Sequence, residues 1–112
     1  MLRQWYQGQA ADWLGQRVQA LGPALGVTWR RISVRDARTR WGSCSFTGHL
    51  NFNQRLIMAP PEVIDYVVVH ELLHRKELNH SSRFWALVAR YYPGYVDAKR
   101  WLRTYGPFLS LP

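Results

Sequence analysis

The chain is short of cysteine, lysine, acidic residues and long apolar runs. Its single cysteine, Cys44, excludes an intramolecular disulfide framework and any zinc site built from several thiolates. No apolar run approaches the ~20 residues that span a bilayer, so no membrane partner is expected. Arg3, Asp12 and Arg17 interrupt the stretch where a signal peptide would carry its apolar core, and a cytoplasmic location is the default expectation. Repeats and low-complexity segments are missing, and so is a Gly-rich phosphate loop. The 112 residues (1–112) read as a single domain with one core.

Seven acidic residues face 15 basic ones, giving a net charge of +8, and all the basic residues except Lys76 and Lys99 are arginine. Such a surface favours an anionic partner and admits nucleic acid. The arginines are spread along the chain with no dense basic tract, so charge alone assigns no nucleic-acid site.

Residues 2–21 read as an N-terminal helix, with Trp5, Gln9 and Trp13 on one face and Leu14, Val18 and Leu21 at helical spacing. The aromatic stripe is expected to be core, and Gly22-Pro23 is expected to end the helix. Residues 27–58 form the sheet region. Ile32 and Val34 alternate with polar neighbours, and residues 40–45 and 49–53 read as a hairpin turning at Thr47-Gly48. Gly42 within a strand suggests a close backbone approach. Arg55 to Met58 reads as a continuation of the second hairpin strand. Helix 60–78 opens with Pro60-Pro61-Glu62, and C-terminal helices cover 82–105, with Phe108 to Pro112 as a tail.

The helix 60–78 carries the chemistry. His70 and His74 are four apart, hence one turn apart on the same face, where two imidazoles can share one ion at about 2.0–2.1 Å. Glu71 flanks them in the place of a general base, the arrangement of the His-Glu-x-x-His zinc peptidase signature. The apolar run Val63, Ile64, Val67, Val68 and Val69 before the motif argues against a solvated face. His80 is six residues past His74 and would point about 120° away on a continuous helix. The helix must therefore end between them for His80 to be the third ligand, and Asn79 is the expected left-handed stop. Ser81 and Ser82 suit the cap of the next helix. Glu77 is the competing ligand, but it sits a full turn beyond His74. The expected set is zinc on His70, His74 and His80, with Glu71 as catalytic base.

Arg40-Trp41-Gly42-Ser43-Cys44, Leu50-Asn51-Phe52-Asn53, Tyr66 to His74 and Asn79 to Trp85 occur in the order found in the YgjP-like metal-dependent hydrolases, a group related to the SprT-like zincins. The sequence resembles that family across residues 30–103. The resemblance implies an α+β, zincin-like minidomain: a small antiparallel or mixed sheet packed on an active-site helix, with further helices. It implies the same ligands and base. The ligand spacing equals that of the metzincins, but Glu77 replaces their turn glycine and Met58 precedes the motif, so only the geometry is shared.

The expected activity is hydrolysis of peptide bonds in a peptide or protein substrate. The alternatives are zinc-dependent nucleotide pyrophosphatase activity, with Arg40, Arg55, Arg75 and Arg83 as phosphate holders, and a nucleic-acid-associated SprT-like protease module. The strand 49–57 is expected to offer a free edge to an extended peptide. Tyr91, Tyr92, Tyr95 and Arg100 are candidates for stabilising the oxyanion. Cys44 is expected to be a small buried hydrophobe, His49 exposed and idle, and Trp41 and Trp85 packed behind the metal helix.

Overall fold

Helix α2 (Pro61–Leu73) has too many apolar residues for a one-sided stripe, and it is buried around most of its circumference: Val63, Ile64, Val67, Val68, Val69, Leu72 and Leu73 all lie in the core. The computed structural model, which describes residues 2–109, packs the other three α-helices and one edge of the sheet against it. Pro61 opens the helix where a missing N–H costs nothing, and the Pro60 carbonyl accepts from Val63 N and Ile64 N at 2.9 and 3.0 Å.

Helix α1 (Leu2–Leu25) packs on α2 through Ala10, Leu14 and Val18. The aromatic stripe expected in the core faces outward instead, with Trp5 57% and Trp13 39% exposed. The 10–14–18 row faces α2, and Trp13 sits about 100° around the helix from Leu14. Arg17 clamps Asp65 of α2 with two hydrogen bonds of 2.8 and 3.0 Å. The helix also runs past Gly22-Pro23. Pro23 sits in its last turn, and Gly26, at φ +72°, is the actual stop. Val27 N donates to Gly22 O at 3.1 Å and Gly26 N to Pro23 O at 3.0 Å, the paired bonds of a Schellman end.

Strands β1 (Arg31–Arg35), β2 (Gly42–Cys44) and β3 (His49–Asn53) form a mixed sheet in the order β1-β3-β2, with β3 parallel to β1 and antiparallel to β2. Leu50 and Phe52 project from β3 into the core. The hairpin turn closes with Gly48 N to Ser45 O at 3.0 Å, and Gly48 takes the expected positive φ. Two expectations fail here. β3 is the central strand, so it has no free edge, and the edges are β1 and β2. Residues 54–58 form a 3-10 helix, Gln54–Met58, and not a strand, because the Asn53 side chain caps Arg55 N at 3.0 Å and turns the chain.

Helix α3 (Ser82–Tyr91) is capped by Ser81, whose Oγ accepts from Phe84 N. It buries Phe84 and Val88. Helix α4 (Tyr95–Tyr105) buries Ala98 and Leu102, and a 3-10 turn, Gly106–Phe108, follows. Of the expected C-terminal tail, residues 110–112 lie outside the described residues. The fold is α+β, as expected.

Candidate metal centre

Helix α2 stops at Leu73, five residues short of the expected end. His74 N, Arg75 N and Lys76 N donate to the carbonyls of Glu71, Leu72 and Leu73 at 3.2, 3.0 and 2.9 Å, which tightens the last turn to i→i−3 bonding. Asn79 is not the left-handed stop, since no described residue other than glycine has a positive φ. Arg75 turns away to the sheet side and donates to Thr28 O at 2.9 Å and Phe46 O at 2.6 Å, tying the helix end to the hairpin. The chain then returns through residues 77–81 and brings His80 back over His70 and His74.

The three rings converge through their Nε2 atoms. His80 Nε2 lies 3.1 Å from His70 Nε2 and 3.1 Å from His74 Nε2. Two nitrogens on one tetrahedral zinc stand roughly 3.3 Å apart, close to this spacing. His74 Nδ1 donates to Glu77 O at 2.9 Å, and a carbonyl can only accept, so His74 Nε2 carries a lone pair directed inward. Only one of the two 3.1 Å contacts can then hold a proton in line, because both end on the same His80 nitrogen. A cation between the rings satisfies all three nitrogens, so this donor set fits a metal ion. Burial, with the neighbouring rings and Lys99, holds the His70 imidazole down at about 3, and burial lowers His74 as well. Both are therefore neutral at pH 7, the form that binds metal. Glu77, the rival ligand, is outside the cluster; its carboxylate accepts from Ser81 Oγ at 3.5 Å.

Aromatic rings fix this cluster from behind and beside. Phe84 stacks on His74 at 4.3 Å and 12°. Trp85 lies nearly parallel to His80 at 5.9 Å and meets His70 edge-on at 5.6 Å. Trp85 thus contacts the clustered histidines themselves and does not pack behind the helix. Trp41 likewise lines the open side.

A cleft of about 590 Å³ opens over the histidines. Glu71 forms part of its floor and is 6% exposed. Burial raises its carboxyl from 4.5 to about 8, while Arg40 pulls in the opposite direction. The β2 edge strand forms one wall, from Gly42 to Cys44, and passes so close to Glu71 that a side chain at 42 would collide with it. Cys44 is half-buried in that wall and not fully buried as expected; burial and the nearby Glu71 raise its thiol pKa and keep it protonated.

The sequence profile of the YgjP-like family, metallopeptidase domain, matches residues 1–105. The chain belongs to the YgjP-like metallopeptidase family. Its fold is similar to that of two solved archaeal proteins. One is the metallopeptidase zymogen abylysin of Pyrococcus abyssi, with TM-score 0.70 and 22% identity over 81% of this chain and 93% of that one. The other is the metallopeptidase zymogen jannalysin of Methanocaldococcus jannaschii, with TM-score 0.65 and 21% identity over 81% of this chain and 96% of that one. No curated protein sequence matches significantly.

Several residues of this YgjP-like domain differ from their expected places. Tyr92 donates its hydroxyl to Glu62 O at the far end of α2, and Tyr91 lies under the Lys76 and Arg90 cations. Tyr95 stacks on Trp85 and Arg100 pairs with Asp97, so none of the four oxyanion candidates lines the cleft. Of the four suggested phosphate holders only Arg40 lines it; Arg55 pairs with Asp36, and Arg75 is held by the two carbonyls. His49 is half-buried and bonds Ser33 Oγ through Nε2 at 2.7 Å, so it is neither exposed nor idle. The cleft residues missed in the sequence are Tyr66, Lys99 and Arg103. Tyr66 precedes His70 by four residues, and its hydroxyl lies 3.2 Å from His70 Nδ1; the i−4 spacing was the available signal. Burial raises its phenol pKa, keeping it protonated. Among the described residues no helix is long and apolar enough to cross a membrane.

Proposed function

We propose that this YgjP-like domain is a zinc-dependent peptidase in which His70, His74 and His80 hold the metal and Glu71 is the general base. The convergence of three Nε2 atoms within one cleft beside a buried carboxyl carries this reading. Zinc in such a site supplies Lewis acidity to a scissile carbonyl and acidifies water. His70 donates Nδ1–H to Tyr66 Oη and His74 donates Nδ1–H to Glu77 O, which orients both rings and strengthens their inward nitrogens as donors to metal. A divalent charge among the histidines would draw the Glu71 proton affinity down, leaving a carboxylate.

Glu71 then takes a proton from the attacking water as the water oxygen bonds the carbonyl carbon. It returns that proton to the amide nitrogen as the C–N bond breaks. A base whose proton affinity burial raises is better matched to this task than an exposed glutamate. The backbone of β2, the edge strand beside the cleft, offers N–H and C=O groups to an extended peptide.

The test is hydrolysis of an unfolded protein by the zinc-loaded chain, run beside nucleoside triphosphates. Peptide cleavage that disappears in Glu71→Gln, with zinc content and fold retained, supports the reading. Turnover of nucleotides alone, or unchanged cleavage in Glu71→Gln, overturns it.

A further inference from the structure

Three cations line the cleft, and among the described residues none is in ion-pair contact with a carboxylate. Arg40 enters just ahead of β2, while Lys99 and Arg103 come from α4. Lys99 and Arg103 are one helical turn apart, so they present their charges along a single face. The chain has seven acidic residues: Asp12, Asp36, Glu62, Asp65, Glu71, Glu77 and Asp97. Asp65, Asp36 and Asp97 pair with Arg17, Arg55 and Arg100. Glu77 is bonded by Ser81, and among the described residues Glu71 is the only carboxyl that lines the cleft.

Lys99 is held in place without a carboxylate. Its Nζ sits 4.0 Å from the centre of the Trp85 ring, the same ring that flanks His70 and His80. Arg40 acts electrostatically on Glu71 and Lys99 on His70, so both charges reach the reacting end of the cleft. Low-dielectric walls focus such a field and favour an entering anion. An acidic group can pair with these cations without breaking an ion pair among the described residues.

We propose that Arg40, Lys99 and Arg103 form a carboxylate-recognising wall, so that the preferred substrate is a peptide bearing a carboxylate beside the scissile bond. The carboxylate comes from an Asp or Glu side chain or from the C-terminus of the substrate. The cleavage part rests on the peptidase reading above; the binding part does not.

The experiment measures calorimetric binding of short peptides to the zinc-loaded Glu71→Gln protein, with cleavage by the unsubstituted chain run alongside. The peptides differ only in Glu versus Gln at successive positions, each made with a free and an amidated C-terminus. The expected result is binding about tenfold tighter for the carboxylate-bearing member, from three partly exposed charge contacts. The preference falls to near unity when Arg40→Gln, Lys99→Met and Arg103→Gln are combined. Lys99→Met keeps the apolar stem on Trp85, and Arg103→Glu alone provides a milder variant that reverses one charge. A preference confined to free C-termini assigns the wall to the substrate terminus, and one that follows Glu through amidated peptides assigns it to side chains. Equal binding of Glu and Gln peptides overturns the proposal. So does a carboxylate preference that survives neutralisation of the three cations, since the metal alone would then explain it. Tighter binding of a nucleoside triphosphate than of any acidic peptide would overturn it too. Failure to cleave any peptide, with the charge-dependent binding intact, would refute the peptidase reading and leave the wall standing.

Discussion

Gly42 leaves room for Glu71: a Cβ at position 42 would stand 2.9 Å from Glu71 Cγ and 3.0 Å from its Oε2. The same Cβ would also stand 3.0 Å from the Asn51 carbonyl oxygen on β3. The edge strand and the candidate base thus share one contact surface, and position 42 sets where the carboxyl points. Gly42→Ala is expected to lower peptidase kcat by at least about tenfold, because a displacement of about an ångström is costly in a positioned base. Steady-state kinetics with parallel zinc analysis checks this. Full activity in Gly42→Ala would mean that the carboxyl moves freely.

Tyr66 acts through His70. Removing its hydroxyl leaves His70 Nδ1 without a hydrogen-bond partner among the described residues and frees the ring to rotate. Tyr66→Phe is expected to weaken zinc binding by about 10-fold, the lower end of such effects at metal sites. Competition against a chromophoric chelator measures it, with thermal unfolding of the metal-free form as a control for packing.

Asn53 ties the end of β3 to the segment before β2 and to the 3-10 turn that follows. Its side-chain amide donates to Ala37 O at 2.8 Å and Arg40 O at 3.1 Å, and its carbonyl oxygen caps Arg55 N. It is 3% exposed, so water cannot replace these partners. Asn53→Ala is expected to cost about 2–4 kcal/mol in urea unfolding, the loss of several buried bonds at once. It should also loosen Arg40, whose carbonyl it anchors. A cost below about 0.5 kcal/mol would place the site within reach of solvent.

The metal-free protein is expected to have two pH-dependent limbs. His70 is held at about 3 when folded against 6.5 in the open chain, so its contribution is complete above 6.5 and is lost as pH falls toward 3. Glu71 is raised from 4.5 to about 8, so its contribution is complete below 4.5 and is lost as pH rises through 8. The two oppose each other between 4.5 and 6.5. The distinguishing prediction lies between 6.5 and 8, where stability should fall with rising pH in the chelated protein. Glu71→Gln should flatten that limb. Denaturant unfolding at a series of pH values checks it, and an alkaline limb that persists in Glu71→Gln would assign it to another group.

The parts legible in the sequence are those governed by local spacing. His70, Glu71 and His74 follow from one helical turn, Ser81 from its hydroxyl ahead of the next helix, and the hairpin from Gly48 between two short strands. The return of His80 was legible as a requirement that the helix end, but not in its means. The stop uses i→i−3 bonds after Leu73 and the reach of Arg75 to two distant carbonyls, and neither has a residue-type signature like glycine's. Trp5 and Trp13 misled because aromatic character outweighed register; the smaller Ala10 is the residue that lets α1 approach α2. The charged wall of the cleft was hidden because Arg40 and the pair Lys99 and Arg103 are about sixty residues apart and meet only through the packing of α4 across α2.

The measurement that bears most directly on the metal centre is equilibrium zinc binding by the metal-free chain and four single variants. One zinc per chain is predicted for the unsubstituted protein and for Glu77→Ala, with binding severely weakened in His70→Ala, His74→Ala and His80→Ala. Retention of tight zinc in His80→Ala together with its loss in Glu77→Ala would contradict the account, because the third ligand would then be the carboxylate and the convergence of His80 Nε2 on the other two rings would have no metal to explain it.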